Sequence, residues 1–298
     1  PVYNEDPTRA FRHLRVVESS LARTGQDAAF EIFLLSDTTD PDIAAEEARR
    51  FAAWQAVSPN PGRIHYRRRA ENTRQKVGNI EDFCARWGDR FEHMIVLDAD
   101  SLMTGEAILR LVRLMQHNPS LGILQTLAVG LPSSSAFARI FQFGMRHGMR
   151  AYTTGSAWWQ GDSGPYWGHN AILRLAPFRA HCHLPRLNGN PPLGGEILSH
   201  DQVEAALMRS AGYEVRVLPV EGGSYEENPP SLLDFIKRDL RWCQGNLQYF
   251  KLILFLILGL AKILLKLGTL LGTRLLILFL RDKLLSEHDD CLNFYVIA

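Results

Sequence analysis

The sequence predicts an α/β fold over residues 1–250, with a largely parallel mixed sheet and helices on both faces, followed by an apolar helical tail over 251–298. Three observations carry this reading. Short apolar runs alternate with amphipathic helical stretches, the pattern of a sheet built from strand–helix units. Two of those runs end in carboxylates: Glu31–Leu35 leads into Ser36-Asp37, and His93–Leu97 leads into Asp98-Ala99-Asp100. From Leu252 to Leu280 the composition turns Leu-rich, unlike anything before it.

The elements follow in order. Pro1–Glu5 reads as the end of a strand whose start is missing, the pattern expected of a piece of a longer protein. Asp6-Pro7 starts a helix, with a cap residue and then proline at the first helical position. Phe11, Leu14, Val17 and Leu21 continue it at helical spacing, and Gly25 can end it. The strand ending at Asp37 comes next, then a helix from Asp42 to Trp54 and a strand over Arg63–Arg67. A helix from Val77 to Trp87 precedes the strand ending at Asp98. Glu106–Gln116 reads as helix and Gly122–Thr126 as strand. A long amphipathic helix then carries Phe137, Ile140, Phe141, Phe143 and Met145. Tyr152–Asn170 is rich in aromatics and glycine with little periodicity, and reads as a loop over the pocket. Ser199 with Gln202 forms a capping box for a helix through Met208, closed by Gly212. After the Glu221–Pro230 loop, Ser231 with Asp234 starts the helix that carries Arg238, Arg241 and Trp242.

Lys and Arg number 33 against 32 Asp and Glu, a net charge of +1, so no overall field recruits nucleic acid. Arg67-Arg68-Arg69 has no aromatic interleaving and reads as a solvated run. The four cysteines form no Cys-x-x-Cys pair, which fits a reducing, cytosol-facing setting. His181-Cys182-His183 matches no common zinc spacing.

In open α/β sheets the ligand crevice lies beyond the carboxyl ends of the strands. Asp37, Asp98 and Asp100 are therefore expected in one pocket. Carboxylates gathered without a cation repel one another; they make sense around a hard divalent metal, which also grips phosphates. Asp-x-Asp alone is a weak signal, because Asp is common in turns after strands. The matching strand end at Asp37 strengthens it. Arg74 and Lys76 lie near a helix N-terminus with Gly78, a setting that suits an anion. Asp201 sits in the first turn of its helix, where the macrodipole alone accounts for a carboxylate and lowers its pKa. A general base there has to be well positioned. Arg238 and Arg241 share a helix face beside Trp242, which suits a pyrophosphate and a stacked sugar ring.

Taken together, these residues resemble glycosyltransferase family 2, in its processive membrane-bound synthase branch. The family pattern is an aspartate, an Asp-x-Asp, a Thr-Glu-Asp-like triplet and a Gln-x-x-Arg-Trp. Here these correspond to Asp37, Asp98-Ala99-Asp100, Ser199-His200-Asp201 and Arg238-Asp239-Leu240-Arg241-Trp242. Trp167-Gly168-His169-Asn170 and Arg241–Asn246 add to the likeness, which covers residues 1–250. The resemblance implies a Rossmann-like glycosyltransferase-A fold. It implies that Asp37 contacts the uridine, and that Asp98, Lys76, Arg238 and Arg241 hold the nucleotide sugar. Asp98 and Asp100 would take Mg²⁺ or Mn²⁺, and Asp201 would be the catalytic base. Trp242, Trp167, His169 and Asn170 would meet the acceptor.

The reaction so implied is a direct, inverting displacement that moves glucose from UDP-glucose to a growing β-glucan, the backbone of an osmoregulated periplasmic glucan. Ser-His in place of Thr-Glu, and Arg238 in place of Gln, bear more on the product than on the reaction. The implied location is the bacterial inner membrane, with the catalytic domain facing the cytoplasm. Membrane lipid and a periplasmic glucan-processing protein are the further partners. In the tail, Gly259, Lys262, Lys266, Thr269 and Thr273 form a polar stripe at helical spacing. That pattern reads as a helix lying in the membrane interface, or as one span with a costly polar edge. The rival readings are a non-catalytic nucleotide- or glucan-binding fragment, and a synthase of another β-linked polysaccharide such as cellulose.

Overall fold

The computed structural model describes residues 1–253. Along them run α1 (Pro7–Arg23), β1 (Ile32–Ser36), α2 (Pro41–Val57), β2 (Ile64–Arg68), α3 (Gln75–Trp87), β3 (His93–Val96), β4 (Ser101–Met103), α4 (Gly105–His117), β5 (Leu121–Thr126), β6 (Val129–Gly130), α5 (Ala136–Gln160), β7 (Ala171–Arg174), α6 (Leu175–His181), α7 (His200–Ser210), β8 (Glu214–Leu218), β9 (Ser224–Glu226) and α8 (232–253). A first compact unit spans Pro1–Gly245 and a second begins at Asn246.

Most helix starts follow their capping chemistry. Asp6 Oδ1 accepts from Thr8 N at 2.9 Å, and α1 begins at Pro7. Asp40 accepts from Asp42 N and Ile43 N at the head of α2, and Ser231 Oγ accepts from Asp234 N before α8. The capping box expected at α7 does not form. Ser199 makes no side-chain cap. Gln202 Nε2 instead donates to Tyr166 O at 2.8 Å, and Asp201 Oδ1 takes the Gln202 N–H at 3.0 Å.

The sheet is mixed, not largely parallel. β1 pairs in parallel with β2, and β5 with β8. β7 lies between β3 and β5 and runs antiparallel to both. The reason is the excursion over 127–170, which returns the chain to the end of the sheet it left. Asn170 O accepts from Thr126 N there, so β7 starts where β5 finished. A small third sheet joins β4, β9 and β6.

Helices cover both faces, as expected. Alternation sends Ala171 and Leu173 toward Phe83, Phe178 and Met208 on the side of α3, α6 and α7. Ile172 goes the other way, among Val17, Leu21, Ile108 and Leu111 of α1 and α4. All six residues of β5 are buried. A third cluster packs Trp54 of α2 edge-on against Phe11 and Phe51. The Trp54 Nε1–H donates to Glu18 Oε2 at 2.6 Å.

The aromatic stretch expected as loop is helix as far as Gln160, so Trp158 and Trp159 close α5 and stand exposed. Only 161–170 remains irregular. Between β1 and β3 lies a slot of about 220 Å³, lined by both strands and by Val17, Ile80, Phe83 and Ile108. Among the described residues no helix is long and apolar enough to cross a membrane. The polar stripe from Gly259 to Thr273 lies outside the described residues.

Replacing Trp54 with Phe keeps the ring contacts but removes the donor that half-buried Glu18 relies on. A loss of about 2 kcal/mol in unfolding free energy is expected, read as a lower urea midpoint at unchanged slope. An unchanged midpoint would show that Ser58 Oγ, which also donates to Glu18, suffices alone.

Candidate active site

The carboxyl ends of β1 and β3 carry the first two signals, and the structure treats them differently. Parallel register sets Ser36 beside Arg68, so Asp37 meets Arg69 one step on. Their pairing is bidentate, with Arg69 Nε and Nη2 each 2.6 Å from a carboxylate oxygen. Arg69 also donates to Thr73 O and Gln75 O, which ties the turn before α3 to Asp37. The basic run is therefore not a solvated face. Arg67 donates to Asn79 Oδ1 at 2.7 Å and Arg68 to Thr38 O at 2.8 Å. Their partners lie on other elements, so the local sequence gave no hint of them. Arg74, at φ 58° before α3, clasps Glu81, Glu196 and Leu184 O.

Lys76, on the first turn of α3, joins the rest. Its Nζ donates to Asp98 Oδ1 at 2.5 Å and to Gly168 O at 3.0 Å. Gly168 stands at φ 81°, and a Cβ there would lie 3.4 Å from Asp201 Cβ and 3.6 Å from Asp201 Oδ2. Glycine thus supplies both the left-handed backbone and the close approach. A continuous line of contacts runs from Asp98 through Lys76 and Gly168 to Asp201. Gly245 of α8 packs far more closely on Ser199, where a Cβ would clash with Oγ at 2.1 Å. Arg241 and Trp242, four and three residues before Gly245, are on neighbouring turns of that helix, and both are exposed.

Burial would raise the Asp98 pKa, but the charge and hydrogen bond of Lys76, with His169 nearby, hold it down at about 2. Asp100 is pushed up by burial and then by Asp98, with His169 opposing. His169 Nδ1 is 3.3 Å from both Ser101 Oγ and Asn170 Oδ1, while its Nε2 faces Glu226 Oε2 at 3.6 Å. Glu226 is pushed up by burial, and Asp100 adds to that. Arg238 completes the group. Burial lowers its pKa, with the charges of Glu226 and then Asp100 opposing. Its guanidinium stacks 4.4 Å from the Trp242 ring centre.

Two predicted or overlooked residues act as framework. Asn170 was expected to meet the acceptor. Its side chain is fully buried and donates to Ser224 Oγ and Tyr225 O, clipping the start of β7 to β9. Gln125, unremarked in the sequence, takes the Trp167 N–H at 2.8 Å and donates to His169 O at 3.0 Å, which fixes the 167–170 segment. Trp167 is half-buried. Glu226 was missed because the Glu221–Pro230 stretch reads as loop, and only the β4–β9 pairing brings it beside Asp100.

Among the described residues no group of three His, Cys, Asp or Glu side chains is arranged to hold a metal ion. Asp37 is committed to Arg69. Asp98 and Asp100 still supply the one or two carboxylates that Mg²⁺ takes from a protein when phosphates complete its shell. The charge that pushes Asp100 up is the kind a divalent cation offsets. The residues fit a metal that arrives with a diphosphate.

The description "Glycosyl transferase family 2" matches residues 1–182, and "Glycosyl transferase family group 2" matches 93–285. Over 253 residues the chain is 47% identical to "Glucans biosynthesis glucosyltransferase H" of Caulobacter vibrioides (strain NA1000 / CB15N), covering 85% of this chain and 38% of that protein. Over 249 residues it is 50% identical to the protein of the same name from Bradyrhizobium diazoefficiens, covering 84% of this chain and 33% of that one. The chain thus spans well under half the length of these relatives. Among solved structures it is similar to the mannosyltransferase PcManGT from Pyrobaculum calidifontis in complex with GDP-Man and Mn²⁺. There the TM-score is 0.55 at 14% identity, over 85% of this chain and 62% of that one. The shared fold is a glycosyltransferase-A-like α/β fold with mixed sheets.

His200, beside Asp201, gives the site a pH signature. Its Nδ1 is 2.9 Å from Glu204 Oε2, and both are buried. Burial alone would lower its pKa, but the Glu204 charge and hydrogen bond raise it above the ordinary 6.5. Folding therefore favours the protonated ring. The pair contributes in full below about pH 6.5 and fades as pH climbs through the raised value. The thermal midpoint of His200→Gln is expected to fall less steeply above about pH 6.5 than that of the parent. Parallel curves would show that the pair does not titrate with folding.

Proposed function

The chain belongs to glycosyltransferase family 2, and from that premise we propose that it transfers glucose from UDP-glucose to a growing β-glucan. The observation that carries this is the contact line Asp98–Lys76–Gly168–Asp201, which joins a metal- and phosphate-suited turn to a carboxylate at a helix start. Glucose as the sugar, and a periplasmic glucan as the product, rest on the name shared by the longer relatives. Association with the bacterial inner membrane, catalytic side to the cytoplasm, rests on the Leu-rich basic sequence after Lys251.

In this reading Asp201 accepts the proton of an acceptor hydroxyl as its oxygen bonds to the anomeric carbon. The bond from that carbon to UDP breaks on the opposite face, so an α-linked donor gives a β-linked product. Asp98 and Asp100 would hold Mg²⁺ or Mn²⁺, which when bound would offset the charge growing on the departing diphosphate. Lys76 lies within reach of both Asp98 and the phosphates beside it. Asp37 is fixed by Arg69 at the nucleoside end. Arg238 and Arg241 face the diphosphate from α8, and Trp242, about half exposed, offers its ring to the acceptor sugar.

A second reading, a nucleotide-binding piece without turnover, has one observation in its favour: Asp201 Oδ1 is engaged by its own helix at Gln202 N. Turnover separates the two. UDP release from UDP-glucose should require Mg²⁺ or Mn²⁺ and stop with EDTA. Asp201→Asn should cut it by roughly 10²-fold or more and leave UDP binding in place, whereas undiminished release would end its role as base. Asp100→Ala should abolish metal-dependent UDP binding, and retained binding would remove it as a ligand.

A further inference from the structure

Glu226 is a carboxylate inside the site that meets no hydrogen-bond donor among the described residues. Strand register fixes its backbone, opposite Ser101 of β4 and Gly130 of β6. Its side chain is 24% exposed, and its one ion-pair contact, His169 Nε2 at 3.6 Å, is too long for a hydrogen bond. The next residue behaves differently: Glu227 takes Arg9 Nη1 at 3.1 Å. With no donor from the chain, Glu226 has water alone to satisfy it through its 24% exposure, so both its oxygens are available to donors on a ligand that enters the site.

Its surroundings narrow the choice. Arg238 stands beside it with Nε buried and unpartnered, stacked on the half-exposed Trp242. A diphosphate has its partners in Arg238 and Arg241 and meets only repulsion at Glu226 itself. A pyranose suits the set, because adjacent hydroxyls donate in parallel to one carboxylate while the C–H face of the ring packs on an indole. Resting on the transferase reading above, we infer that Glu226 binds a vicinal hydroxyl pair of a glucosyl unit in this site.

The test uses the full chain in detergent with Mn²⁺, and calorimetric titration of UDP, UDP-glucose and a β-linked gluco-oligosaccharide, the last in the presence of UDP. Glu226→Gln keeps the shape and adds a donor where only acceptors serve. It should leave UDP affinity within about twofold and weaken one of the two sugar ligands by about tenfold or more. Weaker UDP-glucose binding assigns the donor sugar, weaker oligosaccharide binding assigns the acceptor, and either supports the inference. Equal losses for UDP and the sugars would make Glu226 a metal or diphosphate ligand and overturn it, as would unchanged affinity for both sugars. If Glu226→Gln loses its thermal transition, Glu226→Asp replaces it with the same criteria. A parent chain that binds UDP but neither sugar removes the transferase reading, and this inference with it.

Discussion

The site depends on where one ammonium group sits. Lys76 lies on the first turn of α3, yet its Nζ reaches the end of β3 at Asp98 and the carbonyl of Gly168 beyond α5. Three segments distant in the chain are held by one cation. Take that cation away and Asp98 stands as a carboxylate near Asp100 with only His169 to relieve it. Gly168 also loses the contact that keeps it against Asp201. The sharp turn at Arg74 and Gln75, both at positive φ, is the local strain that aims Lys76 inward. Arg69 holds that turn from the Asp37 side.

Charge in the pocket is thus divided into two kinds. Asp37 and Asp98 each have a dedicated cation from the chain. Asp100 and Glu226 share the influence of His169 and Arg238 without a close partner. The first pair shapes the pocket and the second is left with unmet bonding capacity. That division leaves Asp100 and Glu226 the freest for ligand contact, while Asp98 keeps one oxygen on Lys76 and has the other to offer a metal. It does not follow from the spacing of acidic residues in the sequence.

Much of the architecture was legible because it is local. Helix starts at Asp6-Pro7 and Ser231 follow from side chains reaching two or three residues ahead, and β1, β2, β3 and β5 are apolar runs long enough to read. β7 is four residues long and β9 three, too short to show a period, and their pairing depends on the return path of 127–170. The capping box at Ser199 does not form because Asp201 Oδ1 takes the Gln202 N–H that Ser199 Oγ would accept, and the Gln202 amide is drawn away to Tyr166 O, a tertiary contact. The strand-end carboxylates were legible as a set. Their division was not, because Arg69 reads as one of three consecutive arginines until β1 and β2 are placed in register. The framework contacts of Asn170 are hidden from the sequence for a similar reason: its amide is spent on β9.

The slot between β1 and β3 has a consequence for what can lie in it. Val2 already bridges the β1 edge that faces it, its N–H donating to Leu35 O and its O accepting from Asp37 N–H, and β3 is paired only on the side of β7. Backbone donors and acceptors therefore border an apolar floor from both sides. One extended segment continuing the Val2 bridge would satisfy both rows at once and join the two sheets across the slot.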